Sequence, residues 1–182
     1  MNLRRPLQWT AGLVFGALVV AAAALLVHLH QRNLLYLQTC MAIDPQPLSW
    51  LCERFFYRYH PTPEEVQELN GAAGPRFAFE AKDEAQARRQ LRRYLEAGVD
   101  IDAVDLRTEA VDRRTPLKFT ALHAAVLAPE VMEVRLLLEF GASTQVRDGK
   151  GRTPLELARE LQGRNPSSKR DEVVRMLEAA AH

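Results

Sequence analysis

A short motif near the C-terminus occurs twice at a fixed distance, and this repeat constrains the fold more than any other feature. The segment Thr120-Ala-Leu-His-Ala-Ala125 recurs as Thr153-Pro-Leu-Glu-Leu-Ala158, 33 residues later. A phrase typical of a helix end also recurs, and each copy contains a Leu-Glu pair: Tyr94–Gly98, Leu137–Gly141 and Met176–Ala180. Similarity at such a period predicts helical units that each bury one face against a neighbour.

The period and the motif together resemble the ankyrin-repeat family. Thr120–Ala125 is similar to the helix-opening motif of that family, and Leu138–Ala142 is similar to the ending of its second helix. The resemblance covers residues 83–180 and implies an all-α ankyrin-repeat solenoid of helix pairs with hairpin fingers. It also implies a structural histidine at His123, hydrogen-bonded to the neighbouring backbone. Such modules bind another protein through their finger tips and inner helices.

Helix-capping residues agree with this interpretation. Thr153 followed by Pro154 and then Glu156 predicts a capping box with proline in the first turn. Gly141 predicts a left-handed residue that ends the preceding helix, whose apolar stripe is Val134, Leu137 and Leu138. A further helix is predicted over residues 83–97, with Asp83 as its N-cap and an exposed arginine-rich face.

Two departures from the repeat length indicate insertions. About ten extra residues lie between Asp102 and Thr120, where the resemblance implies a finger, so this finger is predicted to be enlarged. A second surplus fits the loop 163–168, and the last unit is expected to act as a C-terminal capping repeat. Residues 48–82 are either a degenerate first repeat or an unrelated cap.

The two predicted fingers supply the candidate partner-binding residues. The residues of the enlarged finger are mostly charged, as expected of a solvent-exposed loop, and arginine is enriched at interface hot spots. The alternative for the enlarged finger is a mobile and idle insertion. The candidates are Arg107, Asp112, Arg113, Arg114 and Lys118 in the first finger and Arg147, Asp148, Lys150 and Arg152 in the second.

The segment Trp9–Val27 has 19 residues and no charge. As a helix it would be about 28 Å long, close to the thickness of the hydrocarbon core of a bilayer. We predict one transmembrane helix that divides the chain into a cytoplasmic N-terminus (1–8), the membrane helix (9–27), a helical linker with an N-terminal cap (28–82) and the repeats (83–182). The alternative is a cleaved signal peptide, because residues 21–24 contain an A-x-A pattern.

Charge around this segment predicts the orientation. Arg4 and Arg5 precede it and only Arg32 follows closely, so the positive-inside rule favours a single-pass protein of the inner membrane with its C-terminal domain in the periplasm. Residues 33–182 keep 21 basic and all 23 acidic residues, a net charge of −2. This nearly neutral charge gives no strong positive electrostatic potential that would attract nucleic acid, and no nucleic-acid partner is expected.

Cys40 and Cys52 flank the helix-breaking segment Asp44-Pro45-Gln46-Pro47. A turn there could bring them together, and an oxidising compartment then favours a disulfide. The alternative is two buried free thiols. The helix after the turn is predicted to present an apolar face formed by Trp50, Leu51, Phe55 and Phe56.

No catalytic signature occurs in the sequence, which lacks a nucleophile elbow, an H-E-x-x-H pair, a phosphate loop and a C-x-x-C motif. Asp100, Asp102 and Asp105 lack the glycine turn and distal glutamate of a calcium loop. We therefore expect no enzyme activity, cofactor, metal or small-molecule substrate. The predicted function is protein binding, for instance as an immunity or accessory protein for an exported effector or enzyme. The alternatives are a structural organiser of a membrane complex and an enzyme with its site in residues 33–82.

Overall fold

The computed structural model describes the backbone of residues 4–30, 33–43, 45–106 and 117–181, and their side chains except those of residues 4–13 and 30. This described part is all-α, as predicted, and its only β-type pairing consists of isolated bridges. The helical segments in chain order are α1 (Arg4–His30), α2 (Leu34–Ile43), α3 (Leu48–Tyr59), α4 (Pro63–Asn70), the 3-10 helix η1 (Gly74–Phe79), α5 (Glu84–Glu96), α6 (Ala121–Leu127), α7 (Val131–Glu139), α8 (Pro154–Arg164) and α9 (Ser168–Ala180).

The chain divides into two compact units between Arg58 and Tyr59. Residues 59–82 lie in the second unit because α4 and η1 pack together and η1 packs against α5.

In the first unit, α2 and α3 form a hairpin that is joined by a disulfide between Cys40 and Cys52. Their Cα atoms are 6.1 Å apart, a normal separation for a disulfide. Cys52 and Phe56 are fully buried on α3. Of the predicted apolar face, Phe56 is buried while Trp50 is 51% exposed. The buried side of α3 follows residues 49, 52 and 56, and Trp50 lies about 100° around the helix from residue 49.

Side chains of α1 are exposed from Val14 to Val27, including Phe15 and Leu18. Within the described residues, the membrane-span criterion of length and apolar composition is met by no helix alone. It is met jointly by Val14–Leu29 and Leu34–Ile43, which are bent by 120° with respect to each other.

The second unit is built from capped helices. The threonines Thr62 and Thr153 each form a complete capping box, so the box predicted at Thr153 and Glu156 is confirmed. Asp83 accepts a hydrogen bond from the backbone amide of Gln86, which confirms it as the N-cap of α5. Gly141 has a φ of 90° and ends α7 in the predicted left-handed conformation.

Helix packing in this unit follows two rows. In one row, α6 lies between η1 and α8; in the other, α7 packs against α9. The rows meet where α6 contacts α7 and α8 contacts α9. The core between them is formed by fully buried side chains, among them Tyr94, Leu91, Leu122, Leu136, Leu137 and Leu177.

Candidate protein-binding surface

Three connecting segments of the second unit lie next to one another because their backbones are hydrogen-bonded. Asp105 N donates to Phe119 O at 2.8 Å, and the isolated bridge between Val104 and Thr120 continues this pairing. Gly149 N donates to Leu117 O at 2.7 Å, which attaches the next connection. We call residues 99–106, 117–120 and 143–153 the turn row. A row of linked turns presents several loops on one edge of the unit.

Four predicted binding residues, Arg107, Asp112, Arg113 and Arg114, lie outside the described residues. Of the other candidates, Lys118 and Lys150 are exposed, and Arg147 is 59% exposed. Arg147 Nη1 donates to Gly151 O at 2.6 Å and lies 3.2 Å from Glu156 Oε2. These three cations are on the turn row and are accessible to a partner.

Asp148 is not accessible, because its side chain is fully buried. Its carboxylate accepts hydrogen bonds from the backbone amides of Lys150 and Arg152, at 2.8 and 2.9 Å. The Arg152 guanidinium adds two more, at 2.9 Å from Nε and 2.7 Å from Nη2. Burial alone would raise the pKa of Asp148, but these hydrogen bonds and the Arg152 charge lower it below its usual value.

The Arg152 side chain is held in the same turn by its bonds to Asp148. Its Nη1 also donates to Glu160 Oε2 at 2.6 Å, and only 21% of its side chain is exposed. The structure therefore corrects the sequence prediction for Asp148 and Arg152, which hold the turn together instead of facing a partner. Sequence reasoning placed Asp148 and Arg152 on the binding surface of the predicted finger and did not consider an ion pair between them.

His123 joins two neighbouring connections from inside the unit. Its ring is fully buried; Nδ1 lies 2.9 Å from Thr120 Oγ1 and Nε2 lies 3.2 Å from Arg152 O. A carbonyl can only accept, so Nε2 carries the proton and Nδ1 accepts from the Thr120 hydroxyl. Burial lowers the pKa of His123, and the Arg152 carbonyl and Asp148 oppose this effect only partly. His123 is thus a neutral structural link.

The aspartates considered for calcium act within the scaffold. Asp102 Oδ1 accepts from Ser143 N at 2.8 Å, and Asp100 Oδ1 accepts from Asp102 N at 2.9 Å. Asp105 is buried and lies 3.3 Å from Arg76 Nη1. Among the residues that the structure describes, no group of three His, Cys, Asp or Glu side chains is arranged to hold a metal ion.

An ion-pair cluster joins α5 and α7. Glu84 Oε2 lies 2.7 Å from Arg135 Nη2, and Arg88 pairs with both Glu84 and Glu139. The Arg135 hydrogen bond, in particular, lowers the pKa of Glu84. Sequence analysis missed this cluster because it took the arginines of α5 as solvated. The i, i+4 spacing of Glu84 with Arg88 and of Arg135 with Glu139 was the available signal.

Glu133, in the first turn of α7, is half-buried. Burial raises its pKa to about 7, the nearby charge of Glu130 adds to the rise, and Arg76 opposes it. A carboxyl group that resists ionisation at neutral pH destabilises the fold as it becomes charged.

Comparison with known proteins gives one partial similarity. The chain is 30% identical over 164 residues to a human protein, the mitochondrial disaggregase, and the alignment covers 88% of this chain and 21% of that protein. The chain thus spans about a fifth of the length of the curated relative that it matches. It matches no family model.

Proposed function

We propose that this chain is a membrane-anchored ankyrin-repeat protein that binds another protein and performs no catalysis. The observation that carries the proposal is the turn row, which places exposed side chains of successive connections along one edge of a unit made of paired helices. Linked loops on a rigid helical support are a common form of binding surface.

The ankyrin interpretation is supported by where the repeated motif falls. Its two copies begin α6 and α8, which pack side by side in the same row. The first copy contributes His123, whose Nε2 donates a hydrogen bond to the Arg152 carbonyl, directly before the second copy of the motif. A repeat whose units are stabilised by their neighbours has this arrangement.

The anchor is supported by α1, which spans 27 residues and leaves large apolar side chains such as Phe15 and Val20 exposed at 70% and 69%. Exposed apolar surface on this scale is stable in lipid and unfavourable in water. With Arg4 and Arg5 inside, the C-terminal unit faces the periplasm, where the disulfide is also stable. A phosphatase fused after His182 should then be active; an inactive fusion would contradict this orientation.

The partner class follows from the tether and the binding surface together. An exported effector held by an immunity protein, or an exported enzyme held by an accessory protein, would meet this surface at the membrane. A structural organiser of a membrane complex is the second candidate, since α1 and the turn row could each hold a component. The similarity to part of a disaggregase favours neither of them.

The test is co-purification of partners from solubilised membranes, with a charge-reversal variant of the turn row. We expect Arg147→Glu with Lys150→Glu to reduce partner recovery by about tenfold or more, because exposed interface cations are replaced by repelling charges. The matched control reverses Arg92 and Arg175, which are exposed on the helices α5 and α9 and are not residues of the turn row. Equal recovery with both variants would contradict the proposal.

A further inference from the structure

The exposed side of α2 is mostly apolar, although the other side of this helix is already buried. Leu37, Cys40 and Met41 are buried at no more than 3% exposure. The opposite side follows residues 35, 36, 39 and 43 and is exposed. Its side-chain polar groups are the hydroxyls of Tyr36 and Thr39, and the Thr39 hydroxyl donates to Leu35 O at 3.0 Å. A helix whose exposed side is mostly apolar is unusual at a water-facing surface.

The bend before α2 turns this helix back toward the end of α1. Asn33 caps α2, its Oδ1 accepting from Tyr36 N at 3.1 Å, and the two helix axes differ by 120°. If α1 follows the bilayer normal, α2 then runs at about 30° to the membrane plane and points back to the membrane. Its ten residues span about 15 Å, so its end lies about 7 Å deeper than its start.

The end of α2 that is directed to the membrane carries apolar and aromatic side chains. Ile43 is 76% exposed, and Trp50 follows on the other side of the turn at 51%. The Arg54 guanidinium lies over the Trp50 ring, 5.9 Å from its centroid. Tryptophan and arginine are the pair of residues that suit the headgroup level, with an indole among the acyl chains and a cation near phosphate. We call Ile43, residues 45–47 and Trp50 the hairpin tip.

We infer that the hairpin tip rests in the bilayer interface, with Ile43 and Trp50 inserted at the headgroup level. The inference depends on the proposed membrane helix. Lipid is the occupant that the geometry favours, because α2 begins four residues after the last residue of α1 and the angle of 120° between the two axes directs the apolar end of α2 to the bilayer. The disulfide fixes α2 against α3, so that Ile43 and Trp50 enter together.

The experiment uses the full chain with Trp9→Phe, which leaves Trp50 as the single tryptophan. The protein is reconstituted in vesicles of phosphatidylethanolamine and phosphatidylglycerol that contain lipids brominated at a shallow or a deep acyl position. We expect the shallow bromine to quench Trp50 fluorescence more than the deep one, and aqueous iodide to quench it weakly. Ile43→Asp should reduce the lipid quenching, and since Ile43 is exposed this change leaves the core intact.

A matched control removes both native tryptophans and places one at Leu127, which is 48% exposed on α6. This control should be quenched by iodide and not by brominated lipid. Carbonate washing of the vesicles separates the two proposals. If the chain stays in the membrane but Trp50 responds to iodide alone, or to neither quencher because protein covers it, the interfacial tip is wrong and the anchor stands. If carbonate releases the chain, both are wrong.

Discussion

At the scale of single residues, His123 shows how one buried side chain can join two connecting segments of the second unit. The Thr120 hydroxyl donates to His123 Nδ1, and its oxygen accepts from the His123 backbone amide at 3.4 Å. On the other side of the ring, Nε2 donates to Arg152 O. Every polar atom of the neutral ring is therefore used. His123→Ala should lower the free energy of unfolding by about 1–3 kcal/mol, because the Arg152 carbonyl and the Thr120 hydroxyl lose a buried partner. Denaturant unfolding of the two proteins would measure this loss.

The pKa of His123 is lowered, so its contribution to stability is complete above its ordinary pKa of about 6.5 and is lost as the pH falls toward the lowered value. Glu133 acts with the opposite sign, since its raised pKa gives stability that is lost as the pH rises toward about 7. In a Glu133→Gln background, the free energy of unfolding should therefore decrease as the pH is lowered from about 7 to about 5.5. Adding His123→Asn should flatten that dependence; an unchanged slope would exclude His123 as its source.

Residue-scale prediction from the sequence succeeded where a local motif determines the contact. Thr153, Pro154 and Glu156 form the expected box because all three lie within one turn of helix. It failed at Asp148, whose burial depends on how the chain folds back over its carboxylate. Charge alone does not distinguish a solvated aspartate from one enclosed by its own turn.

At the scale of elements, the turn 148–152 is stabilised by the carboxylate of Asp148 in the manner of a cap. Asp148→Asn keeps the shape but removes the charge that Arg152 needs, so we expect a loss of about 1.5–3 kcal/mol, typical of hydrogen bonds to charged groups. The lowered pKa gives a second signature: wild-type stability from this group is present above the usual aspartate value and is lost as the pH falls below it.

Lys150→Ala is the matched control for this turn, because Lys150 contributes its backbone amide to Asp148 while its side chain is exposed. Its melting temperature should stay close to that of the wild type. If Asp148→Asn were equally silent in thermal unfolding but weakened partner recovery, Asp148 would be a binding residue after all.

Elements with strong caps were predictable, and those defined by tertiary contacts were not. The helix starting at Asp83 has an N-cap, one buried face and Gly98 after its end, so its limits were found within one residue. The 3-10 helix η1 has no such signal. It follows Ala73 in the left-handed conformation and Gly74 packed so closely on Leu69 that a Cβ would overlap it. Leu136 of α7 was missed for a related reason, since α6 and α9 bury α7 from two directions.

At the scale of the whole molecule, the disulfide belongs to one unit only. Both cysteines lie before Arg58, so the bond joins α2 to α3 within the first unit. Cys40→Ala with Cys52→Ala should destabilise the hairpin by about 2–3 kcal/mol in the chain-entropy model.

Hydrogen exchange on the full chain would locate this effect. The amides of α2 and α3 should lose protection in the double variant, while those of α6 to α9 keep it, because separate compact units open separately. Loss of protection throughout α6 to α9 would mean that the hairpin supports the second unit.

The position of the disulfide also has a consequence for biosynthesis. The chain contains two cysteines, separated by 12 residues, and both precede α4 to α9. Because the N-terminal part of a protein is synthesised first, the bond can close before the later helices exist. Two cysteines allow one intramolecular pairing, so forming this bond involves no choice among partners. Its formation is a single thiol-oxidation event.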